Sequence, residues 1–237
     1  MDDIVIVSGT TTPVVKISAG FIVDEKERTW TNRHIDDDCF IVEANAGVTG
    51  LNLQRLKGIF YPTESYEQME KELAALTATN CTASLGSVVS QEKAPAATGG
   101  FVFAVPVAHN LTRACFVKSA LWDIACAVKE NLDCLCEVVN YNKDYLWACG
   151  GGFQSNLLCA YIASLTGKKL LLRDGYRQAS VVGGALVCAE ALGGKMKAQE
   201  TCITEITPQA GAGYAEDYNR WKQVRSSFQK PINKFVV

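Results

Sequence analysis

The chain has 237 residues and a net charge of −2, with 48% of residues hydrophobic and 20% charged. That suits one large globular domain or two small ones, and the absence of a dense Lys/Arg stripe sets nucleic acid aside as a partner. No apolar stretch approaches the ~20 residues of a membrane span, and Met1-Asp2-Asp3 is acidic where a secretory leader would be basic.

The first stretch is β-like. Ile4-Val5-Ile6-Val7 and Val14-Val15-Lys16-Ile17 flank the turn cluster Ser8-Gly9-Thr10-Thr11-Thr12-Pro13, and a third strand is predicted at Cys39–Ala44. Asp36-Asp37-Asp38 before it reads as a solvated loop. Gly50 starts a helix with apolar Leu51, Leu53, Leu56 and Ile59, and a second helix runs from about Ser65 to Leu76 with alternating Glu and Lys. From Thr82 to Thr98 the composition turns to Ser, Ala, Gly and Pro, which predicts a loop or a poorly ordered connection.

The best-defined helix follows. Leu111, Ala114, Cys115, Leu121, Trp122, Ala125, Cys126, Leu132 and Leu135 recur at three- and four-residue spacing and mark one buried face. Tyr145–Cys149, Gly150-Gly151-Gly152 and Ser155–Ala163 then read as strand, glycine turn and helix. Gly167 stops that helix, Lys169–Leu172 makes a strand, Ala179 to Leu192 a helix, and Tyr214 to Phe228 an amphipathic closing helix. Strands, helices, then alternating β-α-β-α predict an α/β domain with a mixed sheet flanked by helices.

Ten cysteines occur with no Cys-x-x-Cys pair, and His34 and His109 stand alone, so no metal site is expected within the chain. Cys115, Cys126, Cys149, Cys159 and Cys188 fall in apolar periodic segments, where a thiol acts as a small hydrophobe. Cys134 and Cys136 point to different faces of a helix. Reduced thiols and a cytoplasmic location are the expectation.

Three features suit a nucleotide. After the strand, Gly151 and Gly152 let backbone amides approach a ligand, and the helix that follows adds free donors and partial positive charge. On this reading a β-branched residue at Gly152 would fill the space of a base or ribose. Gly9-Thr10-Thr11 offers amides and hydroxyls to a terminal phosphate, though it equally makes an ordinary hairpin turn. Gly50 and Gln54 lie one helical turn apart and can face one ligand, though an exposed Gln is commonplace. Gly183-Gly184-Ala185 reads as a close packing contact within a helix, with a nucleotide contact as the lesser alternative.

Taken in order, these segments resemble the C-terminal domain of the FGGY carbohydrate kinases, a family that includes glycerol kinase, xylulokinase, ribulokinase, rhamnulokinase and autoinducer-2 kinase. The segments are Gly9-Thr10-Thr11, Gly50–Lys57, Gly100-Phe101, Asn110–Ala114, the triple glycine with Ser155-Asn156, and Gln178–Ala185. Gln178 stands where the family has Glu, and Glu92-Lys93-Ala94-Pro95 keeps only part of a Glu-Arg-x-Pro stretch.

The resemblance implies an actin-like (ribonuclease-H-like) domain over residues 1–237, forming the nucleotide-side half of a kinase that moves the γ-phosphate of ATP to a sugar hydroxyl. It implies ATP contacts from Gly9, Thr10, Thr11, Gly50, Gln54, Gly151, Gly152 and Asn156, with Mg²⁺ held mainly by an amino-terminal sugar domain that the chain lacks. The family's catalytic Asp lies in a Gly-Asp segment upstream of the Gly-Thr turn. Asp2 and Asp3 are not nominated for that role, so no catalytic residue is assigned and the chain alone is expected to be inactive. The rival expectation is a non-catalytic actin-like module that binds nucleotide or a partner protein. Self-association stays open.

Overall fold

A computed structural model of the chain describes residues 2–36, 38–77, 79–92, 98–194, 202–209 and 213–229. In chain order the strands are β1 (Ile4–Val7), β2 (Thr11–Ser18), β3 (Trp30–Arg33), β4 (Phe40–Val48), β5 (Cys81–Ser84), β6 (Gly100–Phe103), β7 (Tyr145–Cys149), β8 (Lys169–Arg173) and β9 (Ile203–Ile206). The helices are α1 (Gly50–Phe60), α2 (Tyr66–Ala75), α3 (Arg113–Val138), α4 (Asn156–Thr166), α5 (Ala179–Ala191) and α6 (Tyr214–Gln229).

Seven strands form one sheet in the order β3-β4-β2-β1-β7-β8-β9. The β1–β7 and β7–β8 pairs are parallel and the others antiparallel, so the sheet is mixed. Period-2 alternation puts Ile4, Ile6, Val14, Val42, Ala44, Leu146, Leu170 and Leu172 on one face, where all are buried. That face packs on α3 and α4, whose Leu121, Ala125, Val128, Leu132, Leu158 and Ile162 complete the core. The helix α3 is buried on nearly every side because it also meets α1, α2 and β5. Ser65 caps α2 by accepting from the Gln68 amide at 3.1 Å, and Ser155 caps α4 by accepting from the Leu158 amide at 3.2 Å. Gly167 ends α4 at φ 65, in the left-handed region that favours glycine.

Several expectations are corrected. The stretch from Thr82 opens with a strand where a loop is expected: Cys81–Ser84 forms β5, buried and antiparallel to β6, and residues 85–92 after it run as a loop. Its small residues lack an apolar signal because they pack under α6, while the hydroxyls beyond them find partners on α3. Asn131 accepts from the Ser90 amide at 3.1 Å and Asp123 from the Ser87 hydroxyl at 3.3 Å. Residues 93–97 lie outside the described residues. The strands β3 and β9, absent from the sequence reading, are the two sheet edges. Their Trp30-Thr31-Asn32-Arg33 and Ile203-Thr204-Glu205-Ile206 are set by pairing with a neighbour rather than by apolar alternation.

Gly183 and Gly184 make no close packing contact, since a Cβ at either would meet nothing within 4 Å. Cys188, on the same helix, is exposed rather than a core thiol. Although α5 is rich in Val, Leu and Ala, it buries no residue, and Val181 stands 73% exposed. The ten cysteines are free thiols. Among the described residues no helix is long and apolar enough to cross a membrane.

A polar knot fastens α6. Asp123, buried in α3, accepts from the indole of Trp221 at 2.7 Å and the amide of Leu85 at 3.2 Å. Burial pushes its carboxyl up from the ordinary Asp value, and the indole opposes that most strongly. Beside it, the buried Arg225 donates to both carboxylate oxygens of Glu92 at 2.6 Å and to the Ser87 carbonyl at 2.6 Å. Asp123→Ala leaves the Trp221 indole and the Leu85 amide without their acceptor, so it is expected to destabilise the chain by about 3 kcal/mol, read by urea denaturation. A change under ~1 kcal/mol would mean that the knot is solvated.

Candidate functional site

The parallel pairing of β1 with β7 sets Val7 opposite Cys149, so the turns that follow these strands leave the sheet side by side. Open α/β sheets bind ligands at this position, beyond the carboxyl ends of their parallel strands. The two turns are bonded together: the Ser8 amide donates to the Cys149 carbonyl at 2.8 Å, and the Gly152 amide to the Ser8 carbonyl at 3.0 Å. The amino end of α1 joins them. Amides of Thr49 and Leu51 donate to the Thr10 carbonyl at 3.2 and 3.4 Å, and the Thr12 and Thr49 hydroxyls lie 2.7 Å apart.

A cavity of about 310 Å³ opens between these turns, α1 and α2. Gly9, Thr10, Gly50, Gln54, Gly151 and Gly152 line it, together with Leu53, Tyr66, Met69, Glu70 and Ser155. Thus six candidate residues from three separate segments converge on one space. Thr11 and Asn156 are not in its wall: Thr11 belongs to the β2–β4 ladder opposite Val48, and Asn156 is an exposed residue opening α4.

The glycines have different reasons from those the sequence suggests. A Cβ at Gly50 would sit 1.9 Å from the Gly9 carbonyl oxygen, and one at Gly152 would sit 2.1 Å from the Ser8 hydroxyl. Gly150 has φ +102 and would meet the Ser8 carbonyl oxygen at 2.3 Å. These three permit the turns to pack on each other, and space for a base or ribose is not what excludes a side chain at Gly152. The amides of Gly150 and Gly152 are also occupied, by the Tyr176 carbonyl at 2.7 Å and the Ser8 carbonyl. Gly151 differs. A Cβ there approaches only the Gln154 amide nitrogen, at 3.7 Å, so it stands free at the cavity wall.

Glu70 was not singled out from the sequence. Burial pushes its carboxyl up from the ordinary value, and the Ser155 hydroxyl and the Leu157 and Asn156 amides oppose that shift. Its carboxylate therefore stands at the amino end of α4, the donor set that the sequence reading offers to a nucleotide. A signal was present: Tyr66, Met69, Glu70 and Leu73 follow helical spacing, which puts Glu70 on the apolar stripe of α2. That helix is held by Arg113, which stacks on Tyr61 at 4.1 Å and donates to Glu72 at 2.7 and 3.1 Å and to Glu64. Asp2 and Asp3 sit before β1, at the end opposite the Gly9 turn, paired with Lys16 at 2.9 Å and Lys143 at 2.8 Å.

A model of the FGGY family of carbohydrate kinases, C-terminal domain, matches residues 42–192. The chain belongs to the FGGY family of carbohydrate kinases. It is 45% identical over 241 residues to a putative sugar kinase, YoaC, of Bacillus subtilis (strain 168), covering 100% of this chain and 49% of that protein. The chain therefore spans about half the length of this curated relative.

Solved structures of similar fold include a ligand-bound xylulose kinase from Lactobacillus acidophilus, at TM-score 0.74 and 16% identity over 99% of this chain and 49% of the other. A xylulose kinase from Rhodospirillum rubrum gives TM-score 0.72 and 18% identity over 95% and 47%. A Plasmodium falciparum glycerol kinase with ADP gives TM-score 0.68 and 12% identity over 99% and 48%. These likenesses carry the FGGY fold, and the α/β mixed sheet agrees with it.

Proposed function

We propose that this chain is the nucleotide-side half of an ATP-dependent carbohydrate kinase. The carrying observation is the convergence of the Gly9-Thr10 turn, the Gly50–Gln54 helix start and the Gly151-Gly152 turn on one cavity. The ADP named with the similar glycerol kinase fits that reading.

Phosphoryl transfer needs little covalent help from protein; positioning and charge neutralisation do most of the work. In this reading the Thr10 turn meets the terminal phosphates, Gln54 offers an amide to the bound nucleotide, and Gly151 leaves room beside it. Mg²⁺ arrives with the nucleotide and neutralises phosphate charge. Its carboxylate ligands, the general base and the sugar pocket belong to a second, sugar-side half, and closure of the two halves excludes water and aligns the hydroxyl with the γ-phosphate.

The sugar-side half has a surface to meet. The exposed apolar residues of α5 border a groove of about 580 Å³ on the sheet face opposite the core, lined by Val5, Val15, Ile17, Trp147, Val182 and Leu186. A helix apolar around its circumference is stable when covered, and the relatives are about twice as long as this chain.

The test is reconstitution. Joining the chain to the unmatched half of the Bacillus subtilis relative is expected to yield ATP-dependent phosphorylation of a sugar from a pentose and hexose panel. Leu186→Asp, which charges the groove, is expected to prevent it. A folded, joined protein that binds ATP yet phosphorylates no sugar would contradict the kinase reading and favour a non-catalytic nucleotide-binding module.

A further inference from the structure

Glu70 is the one charged side chain in the cavity wall among the described residues. Its Oε1 is buried and has no hydrogen-bond partner, an expensive state for a carboxyl oxygen that nothing else meets. The carboxyl group lies beside the Ser155 hydroxyl and the Asn156 and Leu157 amides, so the chain's own acid stands at the start of α4. A polyphosphate placed there would meet a like charge. At the other end of the cavity, Gly9 and Thr10 present no charge. Between the ends, Leu53, Tyr66 and Met69 give an apolar wall suited to a flat base.

We propose that Glu70 reads the nucleoside, its carboxylate accepting a hydrogen bond from a ribose hydroxyl or from the exocyclic amino group of the base. Its charge disfavours phosphate at that end, in accord with the Thr10 turn meeting the terminal phosphates. This rests on the nucleotide reading above and adds the residue that selects which nucleotide binds. Both sources offer the same chemistry, a neutral donor facing a carboxylate oxygen, and nucleotide analogues separate them.

The experiment titrates ATP, 2′-deoxyATP, 3′-deoxyATP and purine riboside triphosphate, which lacks the 6-amino group, into the wild-type chain, E70A and E70Q. Calorimetry gives the affinities and thermal unfolding checks the fold. One donor-deleted analogue is expected to bind the wild type at least about tenfold more weakly than ATP, which identifies ribose or base as the source. E70A is expected to bind ATP and that analogue alike, whereas E70Q, which keeps an acceptor oxygen, retains part of the difference.

Equal binding of all four nucleotides by the wild type would overturn the proposal, as would E70A keeping the wild-type selectivity. The wild-type series decides the matter even if E70A does not fold. Binding of ATP without Glu70-dependent selectivity overturns only the assignment of Glu70. No ATP binding by the folded wild type overturns the nucleotide reading itself and the proposal with it.

Discussion

The purified 237-residue chain is expected to transfer no phosphate from ATP to any sugar, at a rate at least ~10⁴-fold below the reconstituted protein. A positioned general base contributes roughly 10²–10⁴-fold, and alignment of the attacking hydroxyl contributes more. Among the described residues, nothing in the cavity wall supplies a base suited to that task. Glu70 faces the amino end of α4, and Asp2 and Asp3 are engaged by lysines at the far end of β1. A coupled assay for ADP release against a sugar panel measures this. Robust sugar-dependent turnover by the isolated chain would refute the division of labour between two halves.

The second large effect separates the glycines of one turn. Gly151→Val is expected to abolish nucleotide binding while stability stays within ~1 kcal/mol, because its Cβ enters open space at the cavity wall. Gly152→Val is expected to destabilise the chain itself by on the order of 2–3 kcal/mol, because Ser8 lies in the way. Gly150→Val should cost more still, adding a left-handed backbone to a clash with a carbonyl oxygen. Urea denaturation and calorimetry with ATP on the three variants distinguish lost fold from lost site. Wild-type nucleotide affinity in a folded Gly151→Val protein would place the ligand elsewhere.

Local chemistry made much of this legible. Four-residue spacing from Gly50 to Gln54 and the apolar run Tyr145–Cys149 before three glycines each specify an element, and both elements deliver their residues to the cavity. What stayed hidden depends on partners distant in the chain. The reason for Gly152 is Ser8, and Ser8 reaches it only once β1 and β7 pair. Glu70 sits among alternating charges that suggest a solvated helix, and its burial needs α4 across from it. The small polar residues of β5 and the segment after it become structured because Asp123 and Asn131 accept from the neighbouring serines. Cys188 and the Gly183-Gly184 pair mislead for the opposite reason: an apolar periodic helix is exposed here, so composition and burial part company.

The central claim is that the cavity between the β1 turn, the β7 turn and α1 binds nucleotide. Backbone amide shifts followed by NMR during an ATP titration test it most directly. The account predicts saturable shifts clustered at Gly9, Thr10, Gly50, Gln54 and Gly151 in the wild type and their absence in Gly151→Val. Shifts clustered instead along the groove beside α5, around Val182 and Leu186, or an unchanged pattern in Gly151→Val, would contradict it.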